Sequence, residues 1–406
     1  MSDAAQDSVA ITASEEAGQR RLNSMPCLMA SIVAGAVGSL MFLVTPLFLG
    51  ALTDGGVYSP RQAGIIGSAD LTGMFAGSVL LSLWMRKLNW RRLATLALWV
   101  FMAAQIVSII AKELFPALLL VRFLSGAAGI GLMSVAFSHI ADTRHHDRNF
   151  AIFIVAQMLS GAIATLAIPY FTAWWNLNGL FYFLLLAGGP ILFITRFIPE
   201  HGNRRAGDLT PNGSQGALGW FHYAMLAGLL LFGLGVMLVW AYVERIGAAN
   251  GYAAIIIGQI ISWSLLASIC GALLVTFLQD KFGRLPLILT ASLCIITSMY
   301  ALANFPQIAV FTAGVSIFAF CWTFTAPYQL AILAQSDASG RTIVLALAMM
   351  KVGYALAPAT GGFISTPGHY DNNVALGAAC VVGSFLLLLI GSWAQKYAVT
   401  LRSASL

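Results

Sequence analysis

Uninterrupted apolar stretches dominate the chain. Cut at charged residues and at breaks rich in Gly, Asn or Pro, they fall into twelve segments near 25–50, 61–84, 92–111, 114–140, 149–173, 177–198, 219–243, 252–279, 285–303, 306–334, 341–366 and 372–395. A helix needs roughly 20 apolar residues to cross about 30 Å of hydrocarbon, so each segment is long enough to span a bilayer. Runs that stay apolar at successive positions do not fit the in-and-out alternation of a membrane β-barrel. The pattern therefore predicts an all-α membrane protein with twelve spans, numbered 1 to 12 in chain order.

One long polar interruption, from Pro199 to about Gln215, separates six spans from six, and the two sets begin 194 residues apart, at 219 and 25. The expected organisation is a cytoplasmic tail at 1–24, a six-helix bundle at 25–198, a linker at 199–218, a second bundle at 219–395 and a cytoplasmic tail at 396–406. Two similar halves around a central site are a common plan for secondary transporters. The polar first 24 residues place Asp3, Asp7, Glu15 and Glu16 ahead of Arg20 and Arg21, and no short apolar core with a small-residue cleavage site follows. Span 1 thus reads as an uncleaved anchor.

Composition agrees with this reading. Only 9% of the 406 residues are charged and 59% are hydrophobic, where a soluble domain carries roughly a quarter charged residues. Disorder, a coiled coil and a nucleic-acid binder are excluded together, and the net charge of +6 is a matter of where each charge sits. With the N-terminus inside, sixteen of the 21 Lys and Arg residues fall on inner segments, only Arg61, Lys112 and Arg245 on outer ones, and Arg122 and Lys351 within spans. That asymmetry is the one insertion produces, and it predicts both termini in the cytoplasm, in the inner membrane of a bacterium. The five cysteines all lie in apolar runs, with neither a disulfide framework nor metal-ligand spacing. No cofactor is expected.

The loop between spans 8 and 9 reads Leu278-Gln279-Asp280-Lys281-Phe282-Gly283-Arg284. It resembles the signature G-x-L-a-D-r-x-G-r of the major facilitator superfamily, with Thr276 in place of the first glycine. In the equivalent loop between spans 2 and 3, Arg86 stands where that family has its Asp and Asn89 where it has its Gly. Span 4 adds Arg122-Phe123-Leu124-Ser125-Gly126-Ala127-Ala128-Gly129, similar to the family pattern R-x-x-q-G-x-g-a. The resemblance implies two pseudo-symmetric six-helix bundles and a cytoplasmic latch at Asp280, Gly283, Arg284 and Arg91. It also links Arg122 to proton coupling and places spans 1, 4, 7 and 10 around the central cavity, with spans 2 and 11 facing each other between the halves.

A charge at a bilayer centre costs roughly 2.5–3.5 kcal/mol on insertion scales, so Asp70, Arg122 and Lys351 each need a partner or a task. Asp70 lies about 13 Å below the outer end of span 2 at 1.5 Å per residue, with Gly73 and Gly77 on its face. Small residues on one face mark contact with another helix, so Asp70 should face protein or a water-filled cavity. It is either a proton-binding carboxylate or a permanently paired structural one. Arg122 sits at similar depth, and an ion pair with Asp70 would offset part of the cost of burying both; a coupling or substrate role and the bracing of a neighbouring helix are both open to it. Lys351 lies near the midplane of span 11, suited to an anionic substrate, to a change of protonation or to a fixed counter-ion, and Asp70 could approach it between the halves. Gln157, 194 residues earlier, is its counterpart in the repeat.

Trp322, Tyr328 and Gln329 flank Pro327 in span 10, where a bend permits cavity lining, and they are candidate substrate contacts; a packed aromatic core is the alternative. Glu244 and Arg245 end span 7 as a solvated pair or an external gate. His139, His145 and His146 suggest a wet loop. Two bases against one acid bias a shared cavity toward anions. The expected protein is a monomeric, proton-coupled secondary transporter in contact with lipid, moving a small organic anion, a carboxylate, by alternating access. A drug or metabolite efflux antiporter and a non-transporting sensor on the same scaffold are the alternatives. No H-E-x-x-H and no G-x-x-x-x-G-K-[ST] occurs, so neither a zinc enzyme nor an ATP-driven pump is supported. Reporter fusions after Asp54 and after Asn304 should both report an external position, and a cytoplasmic signal from either would break the twelve-span topology.

Overall fold

The computed structural model describes residues 22–54, 56–85, 87–202, 218–279, 281–336, 341–366 and 368–404. Its helices reproduce the expected spans. Span 2 is Pro60–Trp84, span 3 Trp90–Ile110, span 4 Phe115–Ala141, span 5 His146–Trp175 and span 6 Leu177–Ile194. The second half holds Trp220–Ala249, Ala254–Leu278, Arg284–Asn304, Ile308–Ser336, Arg341–Ile364 and Asp371–Ala404 as spans 7 to 12. Eleven helices are long and apolar enough to cross a membrane, and the shorter Met25–Gly38 begins the twelfth.

That shorter helix differs from the single run expected at 25–50. Span 1 is three pieces, Met25–Gly38, Leu40–Leu43 and Thr45–Asp54, and polar chemistry explains both breaks. The Ser39 hydroxyl donates to the Ala36 carbonyl (2.7 Å) and the Thr45 hydroxyl to the Met41 carbonyl (2.8 Å), competing with the backbone ladder. Pro46 has no N–H for the carbonyl four residues back, that of Phe42. The centre of span 1 therefore bends where Ser39 and Phe42 sit. Span 2 begins more firmly, since Ser59 and Gln62 form a reciprocal capping box ahead of Pro60, supplying two of the helix-end donors with partners.

Within each half, the fourth and first spans of the bundle are the hubs. Span 4 packs on spans 1, 2 and 3, and span 7 packs on spans 11 and 12. The halves meet where span 2 lies on span 11, span 5 on span 8, and the end of span 1 on span 7. Close approach of spans 2 and 4 depends on Gly73, Gly77 and Gly126. A Cβ at Gly73 would strike the backbone carbonyl of Phe123, and one at Gly126 that of Asp70. This is the helix-contact face anticipated from the Gly73 and Gly77 spacing.

The halves do not touch along their whole length. On span 2 the last fully buried residue is Gly73, and on span 8 it is Gly271, so the terminal part of each helix is not enclosed by the opposite half. Toward the face opposite the chain termini, contacts are continuous: the Ala359 amide donates to Ser68 Oγ at 2.8 Å, the Arg61 guanidinium lies 4.3 Å over the Phe363 ring, and Gly258 abuts Pro169. The molecule is closed at the far face and splayed on the side of its termini. Gly126→Val places a branched side chain against backbone that cannot rotate aside, a change costing about 1–3 kcal/mol by overpacking; a lowered unfolding temperature in detergent is the expected result.

Candidate functional site: a central cavity between the halves

Two polar centres lie near the midplane, and only one of them is open. The closed one is the Asp70–Arg122 pair. Arg122 Nε donates to Asp70 Oδ2 at 2.8 Å and its Nη2 contacts the same oxygen. Nη1 donates to Gln105 Oε1 and Nη2 to Ser125 Oγ, each at 2.9 Å, while Gln105 Nε2 donates to Phe101 O and Ser125 Oγ. Phe48 and Phe181 close over the guanidinium at 5.3 and 5.6 Å from its carbon. Arg122 is wholly buried and Asp70 is 2% exposed. Removing one partner of such a pair strands a charge in a dry interior.

Spans 2, 3 and 4 thus hold a polar knot inside the first half. The expected pairing of Asp70 with Arg122 is present, and an approach of Asp70 to Lys351 is not: Asp70 turns toward span 4, while span 11 meets the opposite side of span 2. Arg122, also anticipated as a substrate contact, spends its donors inside the knot and does not line the cavity. Gln105 was not singled out in the sequence, although an amide in the middle of an apolar span is itself a signal.

The open centre is a cavity of about 240 Å³. Lys351 and Tyr354 of span 11 line one wall, Gln157 of span 5 another, and Ser39 and Phe42 come from the bend of span 1. Spans 2 and 4 add Leu71, Met74, Phe75, Ile130, Met133 and Phe137. The equivalence of Gln157 and Lys351 in the repeat brings both to one space. Among the described residues Lys351 is the only charged group lining it, and its ammonium has no ion-pair or hydrogen-bond partner.

Span 10 contributes less directly than expected. Trp322 is partly buried behind the cavity and donates from Nε1 to the Tyr354 hydroxyl at 3.2 Å, with its ring 6.1 Å from Phe42. Tyr328 and Gln329 are 3% and 1% exposed. Pro327 faces outward, so its neighbours turn into the bundle, and Tyr328 packs on Phe324 at 5.2 Å. Neither lines the cavity.

At the far face Arg245 forks between the halves. It donates to Asp54 at 2.6 and 3.0 Å, to Glu244 at 2.5 and 2.8 Å and to Thr53 at 3.1 Å. Bidentate guanidinium–carboxylate pairs have the strongest ion-pair geometry, so span 1 is clasped to span 7 there. A larger cleft of about 330 Å³ beside it is lined by Asp54 and Glu244, whose charges Arg245 already engages.

On the side of the termini the corresponding residues stay within one half. Arg91 donates to the Ile198 carbonyl (2.9 Å) and pairs with Glu200 (2.8 Å). Arg284 donates to the Ala331 carbonyl at 2.9 Å, and Gly283 adopts φ +74° at the start of span 9. Asp280, expected in the latch, lies outside the described residues. His139 departs from the wet-loop expectation: it is fully buried, 2.8 Å from Ser31 Oγ and 2.9 Å from the Leu22 carbonyl, and it ties the start of the chain to the end of span 4.

Two six-helix bundles around a midplane cavity, closed at one face, define a polytopic membrane transporter. The sequence matches the model of the Major Facilitator Superfamily over residues 26–358, and the chain belongs to that family. Solved structures share the fold at low identity. A nucleoside transporter, NupG, in a mutant form has a TM-score of 0.74 at 11% identity, covering 91% of this chain and 99% of that one. A D-xylose–proton symporter gives 0.71 at 14%, covering 89% and 96%. The inward-open form of the xylose transporter XylE from E. coli gives 0.68 at 14%, covering 88% and 95%. No curated protein sequence matches the chain.

A double-mutant cycle measures the buried knot. Asp70→Asn and Arg122→Gln singly should each destabilise by about 3–5 kcal/mol, and the double variant by clearly less than their sum, read from unfolding in detergent. Additive costs would mean that the pair carries no coupling.

Proposed function

We propose that the protein is a proton-coupled secondary transporter of a small organic anion, a carboxylate, working by alternating access from the central cavity. The observation that carries this reading is Lys351, a lone ammonium facing a mostly apolar cavity near the midplane. An isolated charge there is costly, and a bound carboxylate offsets that cost. With the termini in the cytoplasm, as the distribution of Lys and Arg predicts, the structure corresponds to an inward-facing state. The Asp54–Arg245–Glu244 cluster is then the external closure, and its breakage accompanies opening to the outside. The proton-linked and nucleoside-carrying neighbours support solute transport on this fold, while the choice of an anion rests on the cavity.

Lys351 also offers an economical route to coupling. The anion binds to the protonated ammonium, so one proton and one negative charge load together, and the emptied carrier can return with the lysine neutral. Among the described residues Tyr354 is the only other titratable group on the cavity wall. Asp70 and Arg122 act in this scheme as a positioning pair that fixes spans 2 and 4 rather than as the site of proton exchange.

Lys351→Gln should weaken anion binding by roughly 10- to 100-fold, the worth of a charged hydrogen bond at about 1.5–3 kcal/mol, in purified protein. Lys351→Arg holds a permanent charge, so proteoliposomes carrying it should exchange labelled anion yet fail to accumulate it on a proton gradient. Wild-type affinity and accumulation in Lys351→Gln would refute both roles.

A further inference from the structure

The cavity's lining carries the assignment further, to the kind of anion it accepts; this step rests on the reading of Lys351 as the anion site. Its polar groups converge on one place. Lys351 and Tyr354 are three residues apart on span 11, hence on the same helical face. The Tyr354 oxygen accepts from Trp322 Nε1, which orients the phenol and leaves its O–H to donate. Gln157 adds an amide from the first half. Together these make one cation and two neutral hydrogen-bonding groups, the complement of a single carboxylate.

The rest of the lining has no use for a second charge or for a run of hydroxyls. It consists of Phe42, Phe75, Phe137, Leu71, Met74, Ile130 and Met133, with Ser39 committed to the Ala36 carbonyl. A second carboxylate would be desolvated against this wall without a partner, at a cost that excludes it. A sugar would leave several hydroxyls in the same position.

Rings dominate the end of the cavity nearest the closed face. Phe42 of the first half sits 5.4 Å from Tyr354 and 6.1 Å from Trp322, and Trp322 is 5.7 Å from Tyr354, all in tilted or edge-on arrangements. Trp240 and Phe318 back Trp322 at 6.0 and 6.1 Å. Such geometries are those in which aromatic rings attract one another beyond simple area burial, and Phe42 is the only ring contributed by the bent segment of span 1. A flat ring entering from the open side meets Phe42 and Tyr354 on their edges while its carboxylate reaches Lys351.

We propose that the Lys351 cavity binds monoanions with an aromatic body, and that Phe42 is the specificity-determining contact for the ring. Four probes separate the parts of this assignment: 2-naphthoate, its neutral amide 2-naphthamide, hexanoate and succinate, each titrated calorimetrically into purified protein. 2-Naphthoate should bind about tenfold more tightly than hexanoate, as expected from one or two favourable ring pairs, and succinate and 2-naphthamide more weakly still. Lys351→Gln should abolish the preference for naphthoate over naphthamide. Phe42→Leu, which keeps an apolar side chain at the bend but removes the ring, should bring the preference for naphthoate over hexanoate down from about tenfold to about twofold or less. Equal affinity for naphthoate and hexanoate, tighter binding of succinate or naphthamide, or binding of none of the four overturns the proposal. If hexanoate or succinate is the better ligand and Lys351→Gln removes its binding, the organic-anion function stands and the aromatic assignment alone falls.

Discussion

The ion pair between Asp70 and Arg122 organises the first half. Lipid offers neither charge a hydration shell, and each can be buried only because the other is there, with Gln105 and Ser125 each accepting one further guanidinium N–H. Meeting those requirements fixes the rotation of three helices at once. Span 2 must turn Asp70 toward span 4, and this places Leu71, Met74 and Phe75 on the cavity. Span 4 must approach closely enough for Arg122 to reach, and Gly73 and Gly126 remove the side chains that would prevent it. The part of the cavity wall that spans 2 and 4 contribute is therefore a by-product of satisfying one buried pair.

The second half works on the opposite principle. Lys351 lies at comparable depth in its helix and no carboxylate among the described residues answers it, so its charge faces the cavity. The Asp70–Arg122 pair holds its helices together from within, whereas the Lys351 ammonium faces open space between the halves. Contacts between the halves, meanwhile, concentrate at the far face, where Arg245 joins Asp54 and Glu244 and where Ser68 receives the Ala359 amide.

The architecture was legible in the sequence because lipid allows so few alternatives. Unbroken apolar runs are forced by the bilayer, and the helices follow them within a few residues except at the ends of spans 7 and 12, which run on to Ala249 and Ala404, the latter through most of the expected 396–406 tail. The Asp70–Arg122 pair was legible for the same reason, since two opposite charges at one depth have little else to do. Span 1 was not, because its breaks come from hydroxyls at Ser39 and Thr45 whose hydrogen bonds depend on local geometry that hydrophobicity does not encode. For Tyr328 and Gln329 the packed-core alternative is the one the structure shows, since a proline reveals a possible bend but not which side of the helix turns to the cavity. His139 reads as a loop residue until the fold brings Ser31 and Leu22 around it.

The clasp at the far face has a further consequence. Asp54 is largely exposed, at 62% of its side chain, while Glu244 beneath Arg245 is almost fully covered. Only the outer arm of the fork is in contact with bulk ions, and charges there are screened over about 8 Å at physiological ionic strength. A rise in salt on that side therefore weakens the arm that joins the halves and spares the arm that stays within span 7. The contact that joins the two halves at this face is thereby tied to the ionic composition of the water beside it, whereas the buried pair inside the first half is not.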